Sequence, residues 1–530
     1  MTQTPPPIGI DLGTSNSVIA TATNGNFEIL ENKRGDRKTP SVVSYDWESN
    51  QVFVGKQAAN RAVSNPEDTI QSIKRHMGDD ETFPLGNETH RPEGISALIL
   101  KKLVQDAEAQ LDRPIENAVI TVPAYFSEKQ RKATKKAGEI AGITVDRIIP
   151  EPTAACLAYG LQASSEKSVF VYDLGGGTFD CSVVNISDGL VEVEGVDGNA
   201  DLGGDDYDGL IVSWLIDQIE QSHGSKPDVS DTTVESRLFE AAKKAKHELT
   251  SLTSTSFSLP YVELEDGSTA NFEKTLTRDT FKQITAGPTQ ETLDITKEFL
   301  KGAGITPTDI DDVILVGGAT RMPAVQNAVE RLFSQEPKVG INPDTIVALG
   351  ATAQACISQE IPVPSSESAN ITPKTDSPSN EAVLGSDSQP VLLDVLPQTI
   401  GVKMAHFETK ETYFQPLIMK DESIPAETEI STTPLEDYQT HTTFEIYQGE
   451  AGTIEGNELV DEFTLGPYPP KERDEASHRM SIQIDADGII HVEAVDEQHN
   501  TREGIQINAE FELSENDMQS VQSDLPALHD

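Results

Sequence analysis

The feature that narrows this chain most is one local design written twice. Near the N-terminus the apolar run Ile8-Gly9-Ile10 delivers Asp11-Leu12-Gly13, a turn of small residues Thr14-Ser15-Asn16 follows, and a second apolar run covers residues 18–23. Val169-Phe170-Val171-Tyr172 leads likewise into Asp173-Leu174-Gly175, then Gly176-Gly177-Thr178, and beyond Asp180 a further run over 181–184. Each copy reads as strand, aspartate, tight turn, strand. One such turn alone is more often an ordinary hairpin, but three successive glycines cost too much backbone entropy for a turn with no other task. Two copies predict a duplicated core whose turns face one another across a cleft and offer backbone N–H groups to a phosphate chain from both sides.

The rest of the chain can be divided around that core. At 530 residues it has room for several folding units. From residue 8 to about 357, short β-branched runs such as 119–122 and 313–316 alternate with longer helical patterns, an α/β arrangement. Residues 358–390 carry eight serines and five prolines, which predicts a flexible linker spanning roughly 30 Å root-mean-square. The segment 391–513 reads as all-β, with strand-like runs at 443–448 and 481–485 and the hairpin signal Asp487-Gly488 before 489–495. The last stretch, 514–530, opens like a helix at Ser514-Glu515-Asn516 but is too short for a helical subdomain and is expected to fray.

Charge and cysteine usage exclude some classes of function. With 88 acidic and 40 basic side chains the net charge is -48, which disfavours unaided binding to nucleic acid or an anionic membrane. Residues 361–530 are denser still, with 34 acidic and 8 basic side chains. A heavily solvated surface accounts for this more simply than attraction of a basic partner, and adaptation to salt stays open. Cys156, Cys181 and Cys356 are isolated within apolar runs and read as reduced core residues. Residues 1–7 lack a basic stretch followed by an apolar one, and no run of 18 apolar residues occurs, so the expectation is a soluble cytoplasmic chain.

A third glycine turn, Val316-Gly317-Gly318-Ala319-Thr320-Arg321-Met322-Pro323, again follows an apolar run and precedes a helical pattern. Alone it would be a strand-to-helix connection with proline in the first helical turn. Together with Val122-Pro123-Ala124-Tyr125-Phe126 and Glu151-Pro152-Thr153-Ala154-Ala155, the three turns resemble the 70-kDa heat-shock chaperone family over about residues 8–357 and 391–513. Actins and sugar kinases share the hairpin motifs. Ile73-Lys74-Arg75, Val391-Leu392-Leu393-Asp394, Gln448-Gly449-Glu450 and Ile484-Asp485-Ala486-Asp487-Gly488-Ile489 single out the chaperones. The resemblance implies an actin-like, two-lobed ATPase domain over 1–357 and a β-sandwich peptide-binding domain over 391–513; the chain is expected to depart from the family in ending with a short acidic tail, 514–530, in place of the helical lid.

The resemblance also implies roles. ATP hydrolysis needs an oriented water, charge neutralisation on the transferred phosphoryl group and a metal bridging the phosphates. By resemblance Asp11, Asp173 and Asp180 hold magnesium and potassium; Lys74 offsets γ-phosphate charge; Glu151 and Asp173 orient the water; Thr178 contacts phosphate. Gly13, Thr14, Ser15, Asn16, Gly175, Gly176 and Gly177 cradle the phosphates of ATP or ADP. Without the resemblance, Lys74 would read as a solvated lysine on a basic helix beside Arg75. Lys246, Thr250, Gly317, Gly318, Arg321 and Asp344 match the nucleoside site, whereas Lys243 stands where the family has a ribose-contacting glutamate.

Coupling between the domains is implied through Pro123 and Arg131 to the apolar segment Val391, Leu392 and Leu393 with Asp394. That segment could equally open the β domain. Arg147 matches a J-domain contact, while Pro150 replaces the usual asparagine before Glu151. In the β domain Val402, Leu435 and Phe444 keep apolar peptide-pocket positions, but Thr432 and Thr442 stand where a phenylalanine and an aliphatic residue are usual. Each such loss removes about 1.5–3 kcal/mol of apolar burial. The implied function is an ATP-dependent chaperone for unfolded or extended polypeptides, with a J-domain co-chaperone and a nucleotide exchange factor as partners. The alternative is an ATP-gated module holding one dedicated partner.

Overall fold

The computed structural model describes residues 5–23, 25–160, 166–187, 190–338, 341–363, 391–496, 501–506 and 528–529. Most of the expected linker and tail lies outside the described residues, as do 507–513 at the end of the predicted β segment.

Both copies of the repeated design fold as hairpins. Ile8–Asp11 runs antiparallel to Asn16–Thr23 with Asp11 opposite Val18, and parallel to Asn117–Val122 on its other side. Lys167–Leu174 runs antiparallel to Phe179–Ser187 with Asp173 opposite Asp180, and parallel to Asp312–Val316. Each hairpin lies within a six-stranded sheet. The first sheet continues through Thr144–Pro150 on one side and Asn26–Ile29 on the other, with Thr39–Pro40 also paired to Asn16–Thr23. The second continues through Leu190–Asn199 to Val391–Val395 and then Ser423–Ile424. The inner strands are apolar on both faces, as parallel neighbours covered from two sides require.

Two helices of small residues, Glu151–Gly160 and Ile346–Ser358, share one buried cluster with strands of both sheets. Their approach is set by glycine: a Cβ on Gly350 would stand 1.7 Å from the Ala154 carbonyl oxygen, and one on Gly9 would stand 2.2 Å from Thr352 N. A second cluster gathers around helices Gly204–His223 and Thr232–Ser251, and a third around helix Pro92–Leu111. The three cysteines are buried and free. Among the described residues no helix is long and apolar enough to cross a membrane.

The C-terminal region forms two four-stranded antiparallel sheets. In the first, Ile400–Ala405 pairs with Thr412–Ile418 and with Thr442–Gln448, which pairs with Glu458–Leu465. In the second, His478–Ile484 lies between Ala426–Thr432 and Ile490–Asp496, which pairs with Thr501–Gln506. Val402, Ile446, Leu465, Met480, Ile482 and Val492 from both sheets share one apolar cluster. The Asp487-Gly488 hairpin forms as the sequence predicts, with Gly488 at φ 77° where an L-residue would be strained.

Lys74 and Arg75 lie on the short 3-10 turn Ile73–His76, and Lys74 is buried rather than solvated, in keeping with the role the resemblance implies for it. One expectation is corrected. The chain end does not fray throughout: Leu528–His529 adds a parallel strand beside Gln51–Val54, with Leu528 packed against the third cluster.

Candidate functional site

One cavity of about 290 Å3 is lined by both hairpin turns. The turns face each other closely: a Cβ on Gly176 would lie 2.2 Å from Ser15 Oγ, so a side chain there would drive them apart. Each turn is fixed from behind. Ser41 Oγ donates to the Gly13 carbonyl at 2.7 Å. Gly175 N–H bonds Thr178 O at 3.0 Å, and Arg75 bridges Gly177 O and the Asp206 carboxylate. The sequence reading placed Asp11, Gly13, Thr14, Ser15, Asn16, Lys74, Glu151, Asp173, Gly175, Gly176 and Thr178 in one site, and all of them line this cavity. Gly177 and Asp180 are not among its lining residues.

Glu151 opens helix Glu151–Gly160, where the helix dipole favours a carboxylate, and it accepts a hydrogen bond from Lys74. Both are buried, so the pair is held in low dielectric. Three aspartates surround it. Burial, and then the Glu151 charge, push Asp11 and Asp180 up to about 7, with Lys74 opposing in both. Burial and the neighbouring carboxylates raise Asp173 well above its ordinary value. Asp180 accepts from Tyr125 N–H at 2.9 Å through Oδ1, while its Oδ2 is buried with no hydrogen-bond partner. A cluster of oxygen-only donors, unfavourable in its fully charged form and with an unsatisfied carboxylate oxygen, fits a hard divalent cation retaining part of its water shell.

At the end of the cavity expected to take the nucleoside, Lys246 Nζ bonds the Asp208 carboxylate and the Gly204 carbonyl, both at 2.6 Å. Arg321 pairs with Asp344 at 2.7 Å, and Lys38 reaches the same carboxylate at 3.2 Å. Gly317 adopts φ 81°, and a Cβ there would lie 2.3 Å from Leu174 O, so this turn packs directly on the second hairpin. Thr250, Gly318 and Lys243 also line the cavity. Sequence reasoning missed Lys38, Gly204 and His247. Burial and the adjoining lysines push His247 down to about 4, leaving it neutral. None of the three has a motif signature, and loop and helix packing alone brings them to the cleft.

A second constellation joins the cleft to the β region. Val391–Val395 adds a parallel strand to Leu190–Asn199, with Leu190 opposite Val391 and Glu192 opposite Leu393, and Asp394 and Val395 pair on with Ile424 and Ser423. Asp394 is buried, and burial raises its pKa against the opposing charges of Arg131 and Arg147. Arg131 donates to the Ala124 carbonyl at 3.0 Å, next to the Tyr125 N–H that binds Asp180. Pro123 is buried at the head of this loop, where its carbonyl accepts from Phe126 N–H. Further bonds cross the same junction. Lys135 Nζ meets Asp487 Oδ2 at 2.8 Å, Ile148 N–H meets Asp487 Oδ1 at 3.1 Å, and Arg147 approaches the Ala486 carbonyl at 3.5 Å.

The five positions expected to line a peptide site divide. Val402 and Phe444 are buried in the apolar cluster, with Phe444 stacked on Phe463 at 5.2 Å. Leu435 lies half-buried in the loop after Ala426–Thr432. Thr442 Oγ1 shares a 2.7 Å hydrogen bond with the Tyr468 hydroxyl, and Thr432 is buried.

A family model described as Hsp70 protein matches residues 7–85 and 80–529. The chain belongs to the Hsp70 family. Two Hsp70 relatives from different strains of Halobacterium salinarum, each described as "Chaperone protein DnaK", are 42% identical to it over 521 residues. The alignment covers 98% of this chain and 78% of each relative.

Proposed function

We infer that this Hsp70 chain is an ATP-hydrolysing chaperone in which the nucleotide cleft sets the affinity of the β region for unfolded or extended polypeptide. Its organisation on this reading is an actin-like ATPase domain over 1–357, a linker over 358–390 and a β-sandwich client domain over 391–513. The observation that carries it is the strand Val391–Val395 on the sheet that contains Asp180, because one continuous run of strand pairings then joins the cleft to the β region.

In this reading Glu151 and Asp173 orient the attacking water, and the buried Lys74, held by Glu151, offsets charge on the transferred phosphoryl group. Thr178 and the glycine turns position the phosphates, and Asp11, Asp173 and Asp180 are the residues to hold magnesium and potassium. Magnesium, when bound, neutralises charge between the phosphates. Rearrangement of Asp180 is passed through Tyr125 and Ala124 to Arg131 and Asp394, which biases the docked strand toward or away from the sheet. J-domain and nucleotide-exchange partners act on this equilibrium.

Single-turnover ATP hydrolysis, with and without short extended peptides, tests the reading with Glu151→Ala as the inactive control. Acceleration by several unrelated peptides is expected. Hydrolysis indifferent to every peptide counts against coupling between cleft and β region.

A further inference from the structure

The apolar interior of the β region ends in a polar row. Thr432 lies directly opposite His478, and His478 opposite Asp496, across three neighbouring strands. All three side chains are buried, with His478 at 0% exposure. They continue the inward face: along the central strand, His478 alternates with the same side as Met480, Ile482 and Ile484 of the core cluster. The other sheet closes on this row from above. The Tyr468 ring lies 4.5 Å from the His478 ring, and its hydroxyl bonds Thr442 Oγ1, on the inward face of the strand that carries Phe444 and Ile446.

The Tyr468 and Thr442 hydroxyls satisfy one another. Thr432 Oγ1, His478 Nδ1 and His478 Nε2 do not: each is buried with no hydrogen-bond partner. A buried polar atom left unpaired costs roughly 1–3 kcal/mol, and hydrocarbon side chains at these positions would remove the cost altogether. Three such atoms on residues that lie opposite one another across one strand pair therefore call for an occupant that supplies their partners. Burial holds the imidazole below its ordinary pKa against the opposing charge of Asp496, so the ring is neutral, with one nitrogen donating and the other accepting.

We propose that Thr432, His478 and the Tyr468–Thr442 pair form a client subsite that selects an extended segment by a carboxamide side chain, glutamine or asparagine, instead of an aliphatic one. This rests on the reading of the β region as the client site. A carboxamide both donates and accepts while carrying no charge, which matches a neutral imidazole beside a hydroxyl. A carboxylate would meet Asp496, and an ammonium offers nothing for the imidazole N–H to donate to and loses its hydration.

The test uses the full chain with ADP and fluorescein-labelled extended peptides identical except for a central Gln, Asn, Leu, Glu or Lys, read by fluorescence anisotropy. The Gln or Asn peptide is expected to bind at least about tenfold more tightly than the Leu peptide, the factor that pairing a single buried polar atom supplies. The double variant Thr432→Val, His478→Leu is expected to reverse the order, with near-ultraviolet circular dichroism confirming that it folds. If it does not fold, the ranking on the unaltered chain decides alone. Tightest binding of Leu, Glu or Lys, or indifference to the central residue, overturns the inference and leaves the client reading standing. Binding of no peptide overturns both.

Discussion

Asp487 offers the sharpest test of the junction. Its two carboxylate oxygens hold the hairpin tip of the β region against the ATPase region, one on Lys135 Nζ at 2.8 Å and one on Ile148 N–H at 3.1 Å. Burial acts to lower the Lys135 pKa and is outweighed by the hydrogen bond and charge of Asp487, so the ammonium stands above its ordinary value. A hydrogen bond to a charged partner contributes about 1.5–3 kcal/mol, and the Lys135 bond is discounted because its side chain is 29% exposed. Asp487→Ala should therefore cost the docked arrangement about 2–4 kcal/mol, a shift of roughly 30- to 1000-fold in the docked-to-undocked ratio. The hairpin itself should survive, since its own bonds run from Asp485 to the backbone of Asp487 and Ile489. The native cysteines are buried, so dyes on Ser230→Cys and Glu408→Cys can report docking by energy transfer as ATP is added. The expected result is loss of the ATP-dependent signal with an unchanged melting transition of the β region. An unchanged docking ratio, or effects of Asp487→Ala and Lys135→Ala that simply add, would refute the reasoning.

Four further outcomes follow from the geometry and the charge. Asp11 and Asp180 are raised to about 7 in the folded chain, so on going from about pH 4 to 7 the unfolded state ionises first and stability falls; melting in EDTA across that window should show the decline, and Asp180→Asn should flatten it. Magnesium affinity should rise over the same range, as calorimetry would measure, because the ligands must lose their protons. Gly350→Ala should destabilise by about 3 kcal/mol in urea titrations although alanine is the better helix former, since its Cβ meets the Ala154 carbonyl. With a net charge of -48, raising sodium chloride from about 0.05 to 1 M should raise the urea midpoint by screening self-repulsion, and a flat response would show that the charges are already well dispersed.

Glycine and aspartate carry their meaning locally, which is why the paired hairpins, the cleft they face and the Asp487-Gly488 turn were legible from the chain alone. A turn that needs three glycines, or a Gly488 at positive φ, is set by short-range sterics within a few residues. Lys74 was legible only through resemblance: nothing in Ile73-Lys74-Arg75 says that the turn buries its ammonium on Glu151. The sequence left Val391 to Leu393 open between linker and first β strand, because an apolar tripeptide suits either sheet edge. Tertiary structure assigned it to Leu190–Asn199, where the exposed strand edge supplies backbone partners. The row Thr432, His478 and Asp496 lies further still from sequence inspection. Each residue alone is unremarkable, and only strand register, a long-range property, sets two unpartnered polar groups side by side in an apolar interior.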